Sequence, residues 1–222
     1  MWATIIKMWN RYSYVYIQGL TGTLCLAAIT VLCGTVLGTL LAIMRRSRIK
    51  PFQWFVQFYV WVLRGTPILL QLYFFWIFLP RATGIKIPDS TCIIIALIVN
   101  ASSYVSEIIR AGIQAVDIGQ TEAARSLGMT ARNTMTKIIL PQAVKNILPA
   151  LGNEFIVLIK ETSILGYVAI VDLTKVSDFV ISRIFEALAP LLGTALIYYV
   201  IVKILTLGLN ALERRLRQSD RR

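Results

Sequence analysis

The sequence is poor in the residue types on which metal sites and enzymes depend. It contains no histidine and only three cysteines, Cys25, Cys33 and Cys92, each within an apolar stretch. With no histidine and no CxxC pair, a zinc site is excluded, and the cysteines are interpreted as small buried apolar residues. The phosphate-binding pattern GxxxxGK[ST] and the nucleophile-elbow pattern GxSxG are also missing. We therefore expect no metal site and no catalysis by this chain.

Charged residues are scarce as well. They make up 15% of the 222 residues, whereas a soluble domain has about a quarter. Hydrophobic residues make up 57%, which suits a single all-α transmembrane domain over residues 1–222. The net charge of +12 would suggest a nucleic acid partner in a soluble protein. Here the basic residues lie between apolar segments, the pattern that orients a membrane protein, so no nucleic acid partner is expected.

Five apolar stretches are long enough for transmembrane helices, since about 20 residues cross about 30 Å of hydrocarbon. They cover about 15–44, 52–79, 91–112, 146–168 and 189–211, and the second is interrupted by Arg64-Gly65-Thr66-Pro67. Residues 169–188 mix apolar and charged side chains, and the apolar ones recur with helical spacing. This pattern predicts an amphipathic helix lying along the outer surface.

The basic residues between the spans predict the orientation. One set of loops and the C-terminus hold about twice as many basic residues as the other set. The richer side has Arg45, Arg46, Arg48, Lys50, Arg125, Arg132, Lys137, Lys145, Arg214, Arg215, Arg217, Arg221 and Arg222; the poorer side has Lys7, Arg11, Arg81, Lys86, Lys175 and Arg183. This asymmetry places the N-terminus outside and the C-terminus in the cytoplasm.

The cytoplasmic loop at about 113–145 is longer than a simple connection between two helices. The triplet Glu122-Ala123-Ala124 favours a short helix, and Gly128 is a natural helix stop. A second helical pattern follows and is expected to end at Pro141. A membrane-protein loop folded as two short helices indicates a docking surface for a soluble partner.

The spacing within this loop resembles the full EAA loop of permease subunits of ATP-binding-cassette (ABC) importers. The matching positions are Glu122, Ala123, Ala124, Gly128, Ile138, Leu140 and Pro141, with Gly119 just before them. The resemblance implies that the loop docks into an ATPase subunit and transmits its closure to the spans. It further implies that Glu122 contacts the ATPase surface, that the two alanines allow close helix approach, and that Gly128 forms the bend.

Four further segments resemble the polar amino acid branch of this family, which carries histidine, glutamine, glutamate, arginine and opines. They are Arg64-Gly65-Thr66-Pro67, Gly119-Gln120, Pro141-Gln142-Ala143 and Lys160-Glu161-Thr162-Ser163, where Glu161 replaces a frequent aspartate. The resemblance implies a multi-pass permease in the bacterial cell membrane that works by alternating access. It implies a second permease subunit, two ATPase subunits that bind ATP and Mg²⁺, and an external solute-binding protein.

Two alternative functions stay open. The first is an ABC importer permease for another small solute, such as methionine or a peptide. A secondary transporter working without ATP is a more distant alternative, but it predicts internal symmetry between halves and no docking loop.

Polar residues within the spans are the candidate substrate contacts. A zwitterionic amino acid needs a carboxylate for its ammonium group, and Glu154 can provide it. Its carboxylate needs a donor, and Asn100, Ser102 or Ser103 can act as neutral donors. The alternative for these residues is hydrogen bonding between helices.

The remaining charged residues in the spans are interpreted as structural or gating groups. Glu107 and Arg110 are three residues apart and can pair on one helix face. Arg64 is expected to satisfy the carbonyl groups that the neighbouring Gly and Pro free. Lys160 and Glu161 are expected to form a pair at the end of the fourth span.

Overall fold

The computed structural model describes residues 2–168 and 170–218, with side chains placed over 8–165 and 170–216. Every regular element in these residues is helical. The α-helices are α1 Trp2–Arg46, α2 Lys50–Gly65, α3 Ile68–Thr83, α4 Asp89–Gln114, α5 Ile118–Ser126, α6 Ala131–Asn133, α7 Leu140–Glu161, α8 Leu173–Ile184 and α9 Leu188–Gln218. A π-helical segment, Thr134–Ile139, joins α6 to α7, and a 3₁₀ segment, Thr162–Val168, follows α7.

By length and composition, three described helices can cross a membrane: α1 from Met8, α4 and α9. They contain the predicted spans 15–44, 91–112 and 189–211. The predicted second span is two helices, α2 and α3, that together are apolar enough to cross but are bent by 113° at the break. The predicted fourth span falls on α7 and the 3₁₀ segment. It carries Glu154, Lys160 and Glu161, and α7 is not among the helices apolar enough to cross.

Some of the predictions fall on residues that the structure leaves undescribed. Ala169, at the start of the predicted amphipathic segment, lies outside the described residues, as do Arg221 and Arg222. The side chains of Lys7 and Arg217 also lie outside the described part. The predicted orientation therefore depends on the other basic residues.

α1 and α4 pack closely and run in the same direction. Gly34 of α1 lies beside Ala101, and one turn later Gly38 lies beside Val105. A Cβ added at position 38 would stand 2.7 Å from the Cβ of Val105, so only glycine permits this approach. Small residues at this contact thus let two long apolar helices form the centre of the bundle.

α7 packs antiparallel to α4, and α9 packs antiparallel to α7. Gly112, near the end of α4, contacts Ile147, near the start of α7. Gly152 of α7 in turn contacts Leu209, near the end of α9. The C-terminal ends of α1, α4 and α9 therefore meet at one end of the bundle. We call this the basic end, because it carries residues 45–50 and 214–215.

α2 lies across the basic halves of α1 and α4 rather than along them. Its start is held to the end of α1, where Gln53 Nε2 donates to the carbonyl oxygen of Ser47 at 2.6 Å. Its middle packs Val56 against Leu41 of α1, and at its far end Arg64 lies over an aromatic ring of α4. After the bend, α3 packs against the first half of α4. The break therefore lies beside α4, with Arg64, Gly65 and Pro67 exposed.

The predicted stop at Gly128 is confirmed. α5 ends at Ser126, and Gly128 has a positive φ of 83°. The Gly128 N–H donates to Arg125 O at 3.0 Å and the Met129 N–H to Ala124 O at 3.1 Å, which together form a Schellman motif. Glycine suits this position because a left-handed backbone costs other residues free energy.

The prediction of a second short helix ending at Pro141 is wrong. α6, the π segment and α7 follow one another without a break from Ala131 to Glu161. In the π segment the Leu140 N–H donates to Met135 O, five residues back instead of four. The wider turn accommodates the proline, which lacks an N–H and would crowd an ordinary helical turn. The loop is therefore one short helix plus the first turns of a long helical run.

α8 is the predicted amphipathic helix. Its buried face is Leu173, Val176, Ser177 and Val180, and it packs on Met8, Tyr12 and Tyr16 of α1 and on Ala189 of α9. Asp172 caps it by accepting from the Lys175 N–H at 2.7 Å. Burial raises the pKa of this carboxyl above its ordinary value. The helix lies at the end of the bundle opposite the basic end.

Candidate functional site

The break between α2 and α3 is stabilised by a side chain that the sequence interpretation missed. Gln71 is buried, and its Nε2 donates to Leu63 O at 2.7 Å and to Thr66 O at 3.1 Å. Its Oε1 accepts from Asn100 Nδ2 at 2.9 Å. The expectation that Arg64 satisfies the freed carbonyl groups is therefore wrong for these two groups. The role of Gln71 had one sign in the sequence: it is a glutamine four residues after Pro67, in an otherwise apolar helix.

Arg64 instead faces α4. Its guanidinium carbon lies 5.1 Å from the ring centroid of Tyr104, a cation–π contact. It lines an open cavity of about 310 Å³ together with Gln57, Trp61 and Glu107. Arg64 is exposed, so its guanidinium beside the helix break is a charge that a ligand or a neighbouring carboxylate can use.

Glu154 is buried on α7, at 9% exposure. No ion pair within 4.0 Å joins it to any residue that the structure describes. Glu161, on the same helix, follows Glu154 by about two turns. A buried carboxylate without an ion-pair partner can accept an ammonium group.

Asn100 and Ser103, the predicted donors, are both buried on α4. Asn100 donates to Gln71, and Ser103 Oγ donates to Asn100 O at 2.7 Å. Ser102 Oγ lies 2.7 Å from Val99 O and 2.7 Å from Tyr59 Oη. All three side chains are thus engaged within the chain. Tyr59, whose hydroxyl ties α2 to α4, was not predicted.

The predicted pair of Glu107 and Arg110 forms, and a third residue joins it. Arg110 Nε donates to Glu107 Oε1 at 2.8 Å. Arg45 Nη1, at the end of α1, donates to Glu107 Oε2 at 2.8 Å. One carboxylate therefore links two helices at the basic end. The interpretation of this group as structural agrees with its geometry.

Lys160 and Glu161 are the last two residues of α7. Lys160 is exposed and Glu161 is half-buried. Neither is in an ion pair within 4.0 Å in the part of the chain that the structure describes, so the expected pair does not form here. Asn153, two turns before Lys160, is exposed on the same side of α7. This side of the helix is therefore polar although it lies among apolar helices.

The predicted coupling residues lie on and beside α5, at the basic end. Asp117 caps α5 by accepting from the Gly119 N–H at 2.8 Å. Glu122 and Ala123 are exposed, whereas Ala124 is buried against the rest of the loop. In the helical run that follows, Ile138 is half-buried and Leu140 and Pro141 are exposed. Leu127, beside the Gly128 turn, is 84% exposed and was not predicted. An exposed leucine next to the exposed Glu122 suits a protein partner.

The chain is similar to several known proteins over most of its length. Residues 34–218 match the family model described as "Binding-protein-dependent transport system inner membrane component". The chain is 41% identical to the arginine transport system permease protein ArtQ of Bacillus subtilis (strain 168), over 92% of this chain and 93% of that protein. It is 42% identical to the probable glutamine ABC transporter permease protein GlnM of the same organism, over 92% and 94%. A solved structure, "Crystal structure of an amino acid ABC transporter with histidines", superimposes with a TM-score of 0.89 and 45% identity, over 93% of this chain and 96% of that one.

Proposed function

Because the chain belongs to the family of binding-protein-dependent transport system inner membrane components, we propose that it is the permease subunit of an ABC importer for polar amino acids in the bacterial cell membrane. Its relatives over almost the whole length are named for arginine and glutamine transport. The observation in the structure that carries the proposal is Glu154, a buried carboxylate with no ion-pair partner among the described residues, on a helix packed against α4. Ionisable residues inside a membrane bundle commonly mark a transport pathway.

In the proposed site, Glu154 accepts the ammonium group of the amino acid. The carboxylate of the substrate is bound by the neutral donors Asn100 and Ser103. Since Asn100 now donates to Gln71, substrate binding exchanges that hydrogen bond for one to the ligand. Such an exchange couples occupancy of the site to the break that Gln71 stabilises.

We place the protein in the membrane with five crossings. α1, the bent pair α2 and α3, α4, α7 and α9 are the five, with the N-terminus outside and the basic end in the cytoplasm. The directions of the helices and the basic residues at one end support this placement. The polar side of α7 then faces the transport pathway instead of lipid.

The partners follow from the family. A solute-binding protein delivers the amino acid from outside, and two ATPase subunits bind ATP and Mg²⁺ and dock on the cytoplasmic loops. A second permease subunit completes the pathway. An exposed Lys203 near the middle of α9 supports this, because a charge facing lipid is costly and a partner helix or the pathway accommodates it. Closure of the ATPases draws the loops together and reorients the helices.

Reconstitution tests the proposal. The permease, its ATPase and its binding protein are placed in proteoliposomes, and ATP-dependent uptake of arginine, glutamine and methionine is measured. Glu154→Gln keeps the shape of the side chain but removes its charge, so uptake should fall about 10-fold or more, and most for cationic substrates. Asp89→Asn, the same carboxylate-to-amide change at the exposed start of α4, is the matched control and should leave uptake unchanged.

Thermal stability in detergent separates a binding role from a structural one. If Glu154 is only a structural link, Glu154→Gln lowers the melting temperature and reduces uptake equally for every substrate. Full uptake with unchanged stability removes Glu154 from the site. Preferred uptake of methionine assigns the chain to the alternative substrate class.

A further inference from the structure

A turn with three exposed cations joins α1 to α2 at the basic end. Arg46, Arg48 and Lys50 lie within five residues and are exposed. In the part of the chain that the structure describes, none of them forms an ion pair or a side-chain hydrogen bond. The neighbouring Arg45, by contrast, binds Glu107. The charge of this turn is therefore available to a ligand.

The backbone of the turn is fixed by local hydrogen bonds. The Ser47 N–H donates to Met44 O at 3.1 Å, and the Ile49 N–H donates to Ser47 Oγ at 3.2 Å. Gln53 of α2 reaches back to Ser47 O at 2.6 Å. α2 has no acidic residue in its first turn, so the positive end of its dipole adds to the charge of the turn. The cations are thus presented on an ordered scaffold.

The outer face of α2 is aromatic. Its packed stripe is Val56, Val60 and Leu63. Five aromatic side chains are exposed on the rest of the helix: Phe52, Trp54, Phe55, Phe58 and Trp61. Trp54 is 68% exposed and Trp61 is 74% exposed. Indole rings suit the boundary between headgroups and acyl chains, and a cationic start with an aromatic face is typical of a helix in that boundary.

We propose that the Arg46–Lys50 turn and the outer face of α2 form a binding site for an anionic phospholipid. The cations bind the phosphate oxygens of the headgroup by charge-assisted hydrogen bonds, and the aromatic side chains cover the upper acyl chains. This site goes beyond the proposed transport function. It rests on that proposal only for the placement of the basic end in the cytoplasmic leaflet.

The lipid site lies next to the coupling loop. Arg46 also lines a cavity of about 600 Å³ with Asp117, Ile118, Met135 and Ile139. The Asp117 carboxylate caps α5, and it forms no ion pair with Arg46 within 4.0 Å in the described part of the chain. A lipid headgroup held by Arg46 therefore touches the wall of the loop that docks the ATPase. Anionic lipid bound at this turn should therefore also affect how the loop docks the ATPase and how ATP hydrolysis is coupled to transport.

The test measures lipid binding by the full-length chain in nanodiscs. Discs of phosphatidylcholine receive increasing fractions of phosphatidylglycerol, and lipid retained by the released protein is identified by native mass spectrometry. The wild-type protein should retain phosphatidylglycerol in preference to phosphatidylcholine. The double variant Arg48→Gln/Lys50→Gln should lose about 10-fold of this preference, since each cation near the surface contributes to headgroup binding.

The matched control is Arg81→Gln/Lys86→Gln, which removes two charges at the opposite end of the bundle. It should keep the preference. Equal losses in both double variants, or an unchanged preference in the first, would overturn the site. Arg48→Lys/Lys50→Arg retains the charge and should retain the lipid, which separates a lost ligand from a misfolded turn. If inorganic phosphate alone stabilises the protein in phosphatidylcholine discs as well as phosphatidylglycerol does, the lipid assignment is wrong.

Discussion

Glu107 shows how one half-buried carboxylate can fix the relative position of two membrane helices. Its two oxygens accept from different partners, Arg45 on α1 and Arg110 on its own helix. The guanidinium of Arg110 holds a local contact, whereas that of Arg45 crosses between helices. The two bonds therefore differ in what they contribute to tertiary stability.

We predict that the three residues of this cluster differ in their effect on stability. Glu107→Gln should cost about 1–3 kcal/mol, because two cations lose their partner in a half-buried place. Arg45→Gln should cost more than Arg110→Gln, because only Arg45 links two helices. Melting temperatures in detergent measure the order. A larger loss for Arg110→Gln than for Arg45→Gln would contradict the interhelical role.

At the residue scale, polar pairs within one helix could be predicted from the sequence, whereas pairs between helices could not. Glu107 and Arg110 could be paired from their spacing, because residues three apart lie on the same face of a helix. The contact from Arg45 joins positions 62 residues apart, and Gln71 reaches carbonyl groups across a bend. Such long-range pairs depend on how helices pack, which a single sequence does not specify. Arg64 was therefore given the role that Gln71 holds.

At the scale of single elements, the turn after α5 offers a matched comparison. Gly128 and Gly84 both have positive φ, 83° and 67°, and a Cβ at either would have open space around it. They lie at different ends of the bundle, one in the coupling loop and one after α3. The same substitution at both therefore separates backbone strain from function.

We predict that Gly128→Ala and Gly84→Ala each cost about 1 kcal/mol in stability, from the left-handed backbone alone. Only Gly128→Ala should impair ATP-driven uptake, because it deforms the surface offered to the ATPase. Melting temperature and uptake in proteoliposomes are measured side by side. Equal uptake by the two variants would remove Gly128 from the coupling surface.

The sequence predicted the first half of the coupling loop better than the second. The stop at Gly128 depends on local backbone preference, and the structure confirms it. The stop expected at Pro141 does not form, because the π segment widens the turn before the proline. A proline is a reliable helix breaker only where the preceding turn is an ordinary α-turn. The hydrogen-bond shift that relieves it leaves no evident sign in residue type.

At the scale of the whole molecule, composition and apolar periodicity sufficed for the all-helical fold. They were less informative about α2 and α3, where a stretch of spanning length folds as two helices at 113°. They were also less informative about α7, which has the exposed polar residues Asn153 and Lys160 and the buried Glu154. Helices that serve a function depart most from the apolar pattern, so these are the ones that hydropathy describes least well.

Cysteine labelling tests the orientation of the molecule. Arg132→Cys and Asp178→Cys place thiols on exposed positions of the coupling loop and of α8. Cys25 and Cys33, interpreted as buried from the sequence, are exposed and only Cys92 is buried. Cys25 and Cys33 are therefore replaced first, so that only the new thiol reacts. In intact cells a membrane-impermeant maleimide should label Asp178→Cys and not Arg132→Cys. The reverse pattern would invert the topology.

The continuous helical run from Ala131 to Glu161 has a mechanical consequence. At 1.5 Å per residue its contour length is about 46 Å, and it joins the loop surface to the helix that carries Glu154. The π segment and Pro149 lie within it, and both are features at which helices commonly bend. Displacement applied at the loop end is therefore divided between rotation of the whole run and bending at these two places.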